Sequence, residues 1–266
     1  MPTLALDGVD LHYEEAGSGP ALVLVHGGSE NLTCWYGQWD AFSAHYRTIA
    51  FDMRAHGSTK THDSDLSDAA CRRDLEGLLD ALGIDQAAVI GYSQGATVAA
   101  GFAANRPDRV SALVLVGYGG AASTAKPEDM PKLREIWQKN VEVMQREGLE
   151  GSIPGRLKRM FTKAFREDEA ASGRYRDAIL KSDSQELAKR PLPDLAAPDI
   201  STLGKPLLVI SGEEDRVFDP AIGERVALAA GGRFARLPGG HGCAIESAPA
   251  FNALVLDFLA EVLPPR

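Results

Sequence analysis

The chain has 266 residues and a net charge of −9, from 28 basic and 37 acidic side chains. That balance argues against nucleic acid and anionic membrane as general partners, because both repel an acidic surface. No run of 18 apolar residues occurs, and Met1-Pro2-Thr3-Leu4 begins without a basic or apolar leader region, so a cytoplasmic protein is expected. Three widely spaced cysteines, Cys34, Cys71 and Cys243, form no CxxC pair and predict reduced thiols with no metal requirement.

Taken in chain order, Leu4 to Glu15 alternate around Asp7-Gly8 and predict a β-hairpin. Leu22 to Val25 is a short apolar strand that runs into His26-Gly27-Gly28. Helical spacing follows around Trp35 to Ala44, and Tyr46 to Phe51 forms a strand that ends at Asp52-Met53-Arg54-Ala55-His56-Gly57-Ser58. Leu75, Leu78, Leu79 and Leu82 place a helix over Leu66 to Leu82. Ala87 to Ile90 reads as a buried strand, Ala96 to Ala100 as a tightly packed helix, and Gly91-Tyr92-Ser93-Gln94-Gly95 joins them. Val110 to Val116, Pro206 to Ser211 and Arg233 to Leu237 are further strands, and Ala248 to Leu263 is an amphipathic helix. Short apolar strands alternating with helices imply a mostly parallel sheet covered on both faces.

Residues 121–200 break this rhythm. Leu133, Ile136, Trp137, Val141 and Met144 follow helical spacing, as do Leu157, Met160, Phe161, Ala164 and Phe165. The expected organisation is an α/β core over residues 1–120 and 201–266, with a helical cap over 121–200 inserted after the sixth strand. Residues 191–198 read as the return linker. The insertion carries 15 basic and 14 acidic side chains, so the acidity belongs to the core. Arg134, Arg156 and Arg159 read as solvated helix faces, with pairing to a substrate carboxylate as the alternative.

The chemistry centres on Ser93. A GxSxG string alone arises by chance roughly 0.16 times in a chain of this composition, so the flanking strand and helix carry the inference of a nucleophile elbow. A serine hydroxyl needs a base to take its proton and a partner to hold that base in the right tautomer. His241, in the glycine loop Pro238-Gly239-Gly240-His241-Gly242 after the last strand, is the candidate base. The acid belongs at a strand end between nucleophile and base. Leu207 to Ser211 is followed by Gly212-Glu213-Glu214-Asp215, which favours Asp215, with Glu213, Glu214 and Asp219 as alternatives. Backbone N–H groups of Gln94 and Gly28 are the candidate oxyanion donors, with Ser29 as fallback. Trp35, Trp137, Met144 and Phe161 are candidates to line the pocket, against core packing as the plainer role.

These motifs together resemble the α/β-hydrolase superfamily. The resemblance rests on His26-Gly27-Gly28, the Asp52-x-Arg54-x-His56-Gly57 turn, the elbow, Gly212-x-x-Asp215, and His241 followed by Glu246, Pro249, Phe251 and Asn252. Within it the chain is similar to 3-oxoadipate enol-lactone hydrolases, cofactor-free perhydrolases and related carboxylesterases. Two departures are Ala55, where relatives commonly have Gly, and Gln94, where Met or Phe is frequent. The resemblance implies the α/β-hydrolase fold, a scaffolding role for Arg54 and His56, and no cofactor. It also implies hydrolysis of a small-molecule ester or lactone through Ser93, Asp215 and His241. Carbon–carbon bond hydrolysis of a ring-cleavage dienone and a non-catalytic ligand receptor are the alternatives, and oligomeric state is left open.

Overall fold

A computed structural model describes residues 2–120, 130–189 and 199–263. Among the described residues nine strands form one sheet: β1 (Thr3–Leu6), β2 (Val9–Ala16), β3 (Ala21–Val25), β4 (Arg47–Phe51), β5 (Lys60–Thr61), β6 (Ala87–Tyr92), β7 (Val110–Val116), β8 (Leu207–Gly212) and β9 (Arg233–Leu237). Their order is β1-β2-β4-β3-β6-β7-β8-β9, with β5 paired to β2. The expected hairpin joins β1 to β2, and β2 pairs antiparallel with β4. From β4 to β9 every pairing is parallel.

The central strands are apolar along their whole length because both faces are covered. Successive side chains point to opposite faces. Leu22, Leu24, Ile90, Val114 and Ile210 therefore join one apolar cluster, with Phe42 of α1 (Trp39–Ser43) and Phe251, Val255 and Leu259 of α10 (Ala248–Val262). Val23, Val25, Val89, Leu115 and Val209 join the other. That face holds Leu75, Leu78 and Leu79 of α2 (Asp68–Ala81), Val98 and Phe102 of α3 (Gln94–Asn105), and Val226 of α8 (Pro220–Ala229).

Four helices separate β7 from β8 in the described residues: α4 (Met130–Met160), α5 (Lys163–Glu167), α6 (Glu169–Ile179) and α7 (Ser184–Ala188). Gly148, at φ 72° and ψ −177°, interrupts α4, so the two apolar stripes expected there sit on either side of a break. Thr162 caps α5 and Asp168 caps α6 through bonds to backbone N–H groups of the first turn. The insertion follows the seventh strand rather than the sixth because Lys60–Thr61, too short to show alternation, pairs with Val9 and Asp10. The anticipated linker over 191–198 lies outside the described residues. Among the described residues no helix is long and apolar enough to cross a membrane.

Candidate active site

Ser93 stands between β6 and α3 at φ 53° and ψ −115°, a region that L-residues rarely enter. Its N–H donates to Val116 O of the neighbouring strand at 2.8 Å, and its carbonyl accepts from Ala96 N and Thr97 N. A Cβ on Gly91 would lie 2.3 Å from Gly95 O, and one on Gly95 would lie 2.2 Å from Val25 O. Strand, turn and helix thus pass too close for side chains at these two positions, and the turn carries Ser93 Oγ to the carboxyl edge of the sheet.

Two loops from the same edge reach that hydroxyl. After β9, and just before α9 (Cys243–Glu246), the chain brings the His241 ring between Tyr92 and Phe218, each with its centroid 5.6 Å away. After β8 it places Asp215, whose side chain is 1% exposed. Asp215 Oδ1 accepts from Val217 N at 2.8 Å and Phe218 N at 3.0 Å, and Oδ2 stands 2.8 Å from His241 Nδ1. A carboxylate only accepts, so the imidazole proton sits on Nδ1 and the Nε2 lone pair faces Ser93 Oγ at 2.9 Å. Glu213 and Glu214 are exposed, and Asp219 caps α8 by accepting from Ala221 N. Of the four carboxylates weighed from sequence, Asp215 is the one the structure brings to the imidazole.

The peptide units around Gly28 have fixed directions. Gly27 O accepts from Glu30 N at 3.2 Å and from His26 Nδ1 at 2.8 Å, while His26 Nε2 accepts from Met53 N. In a trans peptide the N–H points opposite to its carbonyl, so Gly28 N–H faces away from these donors, with no acceptor among the described residues. The next unit is held at both ends: Gly28 O accepts from Arg156 Nη2 at 2.9 Å, and Ser29 N donates to His56 Nε2 at 3.1 Å. Ser29 N–H is therefore engaged with His56, and of the two loop amides weighed from sequence Gly28 N–H is the one without an acceptor among the described residues. Gln94 N opens α3, where an N–H has no intrahelical partner. The Gln94 side chain lies against Gly28 and donates Nε2 to buried Asp68 Oδ1 at 2.7 Å.

Arg54 is buried and donates to Asp74, Asp63 and Asp7 O, which ties three segments of the chain together. Burial lowers its pKa, but Asp74 and Asp63 outweigh this and hold the guanidinium above its ordinary value. Ala55 takes φ 62°, the left-handed conformation that glycine adopts without strain. Cys243 is fully buried, and burial followed by the Asp215 charge pushes its thiol up to about 12, which keeps it protonated and inert. Cys34 and Cys71 are likewise buried free thiols.

Trp35, Met144 and Phe161 are each 2% exposed within one apolar cluster, and Phe161 also contacts Gly242 beside the histidine. The Trp137 and Arg134 side chains lie outside the described residues. Arg156 overturns the solvated-face reading. It is 8% exposed and donates to Tyr175 Oη, Gly28 O and Glu30 Oε1. Its partners stand far away in sequence, so helical spacing gave no signal for them. A cleft of ≈ 560 Å³ lined by Tyr36, Phe165, Arg174, Glu214 and Glu246 includes none of Ser93, Asp215 or His241, and so is not where an acyl group would meet the serine. Among the described residues no group of three or more His, Cys, Asp or Glu side chains is placed to hold a metal ion.

A mostly parallel sheet with a strained serine turn and a histidine loop at its carboxyl edge defines a hydrolase of the α/β class. Residues 20–246 match the family described as alpha/beta hydrolase fold, and the chain belongs to that family. It is 31% identical over 273 residues to a 2-hydroxy-6-oxononadienedioate/2-hydroxy-6-oxononatrienedioate hydrolase of Paraburkholderia xenovorans (strain LB400), covering 95% of this chain and 91% of the relative. An enol-lactonase from Burkholderia xenovorans LB400 superposes with a TM-score of 0.85 at 29% identity, over 97% of this chain and 100% of that one. A thermophilic esterase from Thermogutta terrifontis does so with a TM-score of 0.85 at 26% identity, over 98% of this chain and 97% of that one.

Proposed function

We propose that the chain is a serine hydrolase that cleaves carboxylic esters or lactones of small organic acids through an acyl-enzyme intermediate. The observation that carries this reading is the unbroken relay from Asp215 Oδ2 to His241 at 2.8 Å and from His241 to Ser93 Oγ at 2.9 Å. Likeness to an enol-lactonase and an esterase along nearly the whole chain supports the substrate class.

In this reading Ser93 Oγ attacks the substrate carbonyl as its proton passes to His241 Nε2, and Asp215 stabilises the resulting imidazolium. The carbonyl oxygen becomes an oxyanion between the amides of Gly28 and Gln94. Collapse breaks the bond to the alkoxy oxygen, which takes the proton from His241. Water then gives a proton to His241 and attacks the acyl carbon, releasing the acid and restoring Ser93. No cofactor enters. The inserted helices serve as a cap: Gly242 N donates to Met160 O, and Glu246 accepts from Thr162 and Gly240, joining the insertion to the histidine loop.

A second reading is carbon–carbon bond hydrolysis in a vinylogous diketone, favoured by the relative named for a 2-hydroxy-6-oxononadienedioate. A parallel panel of p-nitrophenyl esters, simple lactones and vinylogous diketones separates the two. Ester or lactone kcat/KM above that for every diketone supports the proposal, and the reverse order replaces it. Phosphonate labelling of Ser93 without turnover of any substrate class favours a ligand receptor.

A further inference from the structure

The network around Arg156 reaches from the inserted helices to the peptide that precedes Ser29. Arg156 Nη2 donates to Gly28 O and to Glu30 Oε1, both at 2.9 Å, while its Nε donates to Tyr175 Oη at 2.6 Å. Tyr175 Oη in turn donates to Glu30 Oε1 at 2.9 Å, and Glu30 Oε2 accepts from Gly27 N at 3.1 Å. Glu30 and Tyr175 are fully buried. The same loop is fastened again by Asn31, whose Nδ2 donates to Ala178 O at 2.7 Å and Ser182 Oγ at 3.1 Å.

Two charges buried together hold their place only when hydrogen bonds satisfy both, and satisfying them fixes the geometry of every group that takes part. Here the arrangement specified is a backbone direction. Glycine at 28 has no Cβ to restrict its dihedrals, so its peptide orientation comes from its partners. Glu30 holds the unit before Gly27, His26 and Glu30 N hold the unit before Gly28, and Arg156 with His56 holds the unit after it.

We infer that Arg156 is a positioning residue for the oxyanion site: from the insertion, through Gly28 O and Glu30, it fixes the direction in which the Gly28 amide points. The inference rests on the hydrolase reading above. It makes transition-state stabilisation depend on the docked position of α4, so that the insertion acts on the reaction as well as covering it. Arg156 touches no reacting atom. Its guanidinium is suited to the task because one rigid fork serves three acceptors, which a lysine ammonium cannot do with the same geometry.

Arg156→Met alone leaves Glu30 buried without its counter-charge, so the decisive variant is the pair Glu30→Gln with Arg156→Met. There the glutamine carbonyl still accepts from Gly27 N and its NH2 meets Tyr175 Oη, so that chiefly the restraint on Gly28 is lost. The measurement is kcat and KM for p-nitrophenyl acetate per serine labelled to completion by a fluorophosphonate, with Arg156→Lys alongside. A purely structural role changes the labelled fraction and leaves kcat per labelled serine at the wild-type value. The expected result is a kcat lower by about 10²-fold, the cost of a misplacement near 1 Å. KM stays within about threefold, the pattern of an interaction lost in the transition state. Arg156→Lys falls between the two. A kcat per labelled serine equal to wild type in the paired variant, with wild type active, overturns the inference alone. A wild type that neither labels at Ser93 nor turns over ester removes the hydrolase reading and the inference with it.

Discussion

Ser93 occupies φ 53° and ψ −115°, and that strain is measurable by comparing Ser93→Gly with Ser93→Ala. Both variants lose the 2.9 Å bond to His241, so its contribution cancels in the difference between them. What remains is the Cβ, which alanine keeps in the disfavoured conformation and glycine lacks. Backbone strain of this kind costs about 1–3 kcal/mol. Glycine returns about 0.4–1 kcal/mol of that through the greater freedom of the unfolded chain. At the middle of these ranges the glycine variant is more stable than the alanine variant by about 1.3 kcal/mol, or about 3–5 °C in Tm for a chain of this size. Equilibrium urea unfolding followed by circular dichroism gives the free-energy difference, and a thermal scan gives the second reading. An alanine variant as stable as the glycine variant, or more so, would refute the strain argument and imply that the elbow relaxes at no cost.

Asp215→Asn keeps a side-chain oxygen for Val217 N and Phe218 N but meets His241 with an amide NH2, which favours the wrong imidazole tautomer. The expected loss in kcat is about 10⁴-fold in a chain that still folds, as steady-state kinetics and circular dichroism will show. Asp65 is held down to about 2 by Ser67 Oγ first and the Arg73 guanidinium second. A carboxylate depressed in the folded state stabilises it above the unfolded aspartate value, and that stabilisation is lost as pH falls through the folded one. Asp65→Asn should thus flatten the stability-against-pH curve between about pH 4 and 2 relative to wild type. A variant whose acid limb stays parallel to that of the wild type contradicts this.

The sheet was legible because its central strands are apolar without alternation, the signature of burial on both faces, and their carboxyl ends carry the serine, the acid and the base. Lys60–Thr61 was not legible as a strand, since two polar residues have no period and pair only because β2 lies beside them. Helix α8 has its signals in Asp219 at the cap and Pro220 in the first turn, yet its residues pack by small side chains that make a faint stripe. The partners of Arg156 are hidden in the sequence for a firmer reason. On a helix of mixed charge an arginine looks solvated, and only the fold brings Glu30 and Tyr175 to it from two other elements.

The most direct measurement is to mix the protein with p-nitrophenyl acetate, quench in acid within one turnover and locate the acetyl group by peptide mass spectrometry. The adduct belongs on the peptide containing Ser93, at no more than one per chain, and is absent from Ser93→Ala. An acetyl group carried mainly by another residue, or ester turnover undiminished in Ser93→Ala, would contradict the mechanism.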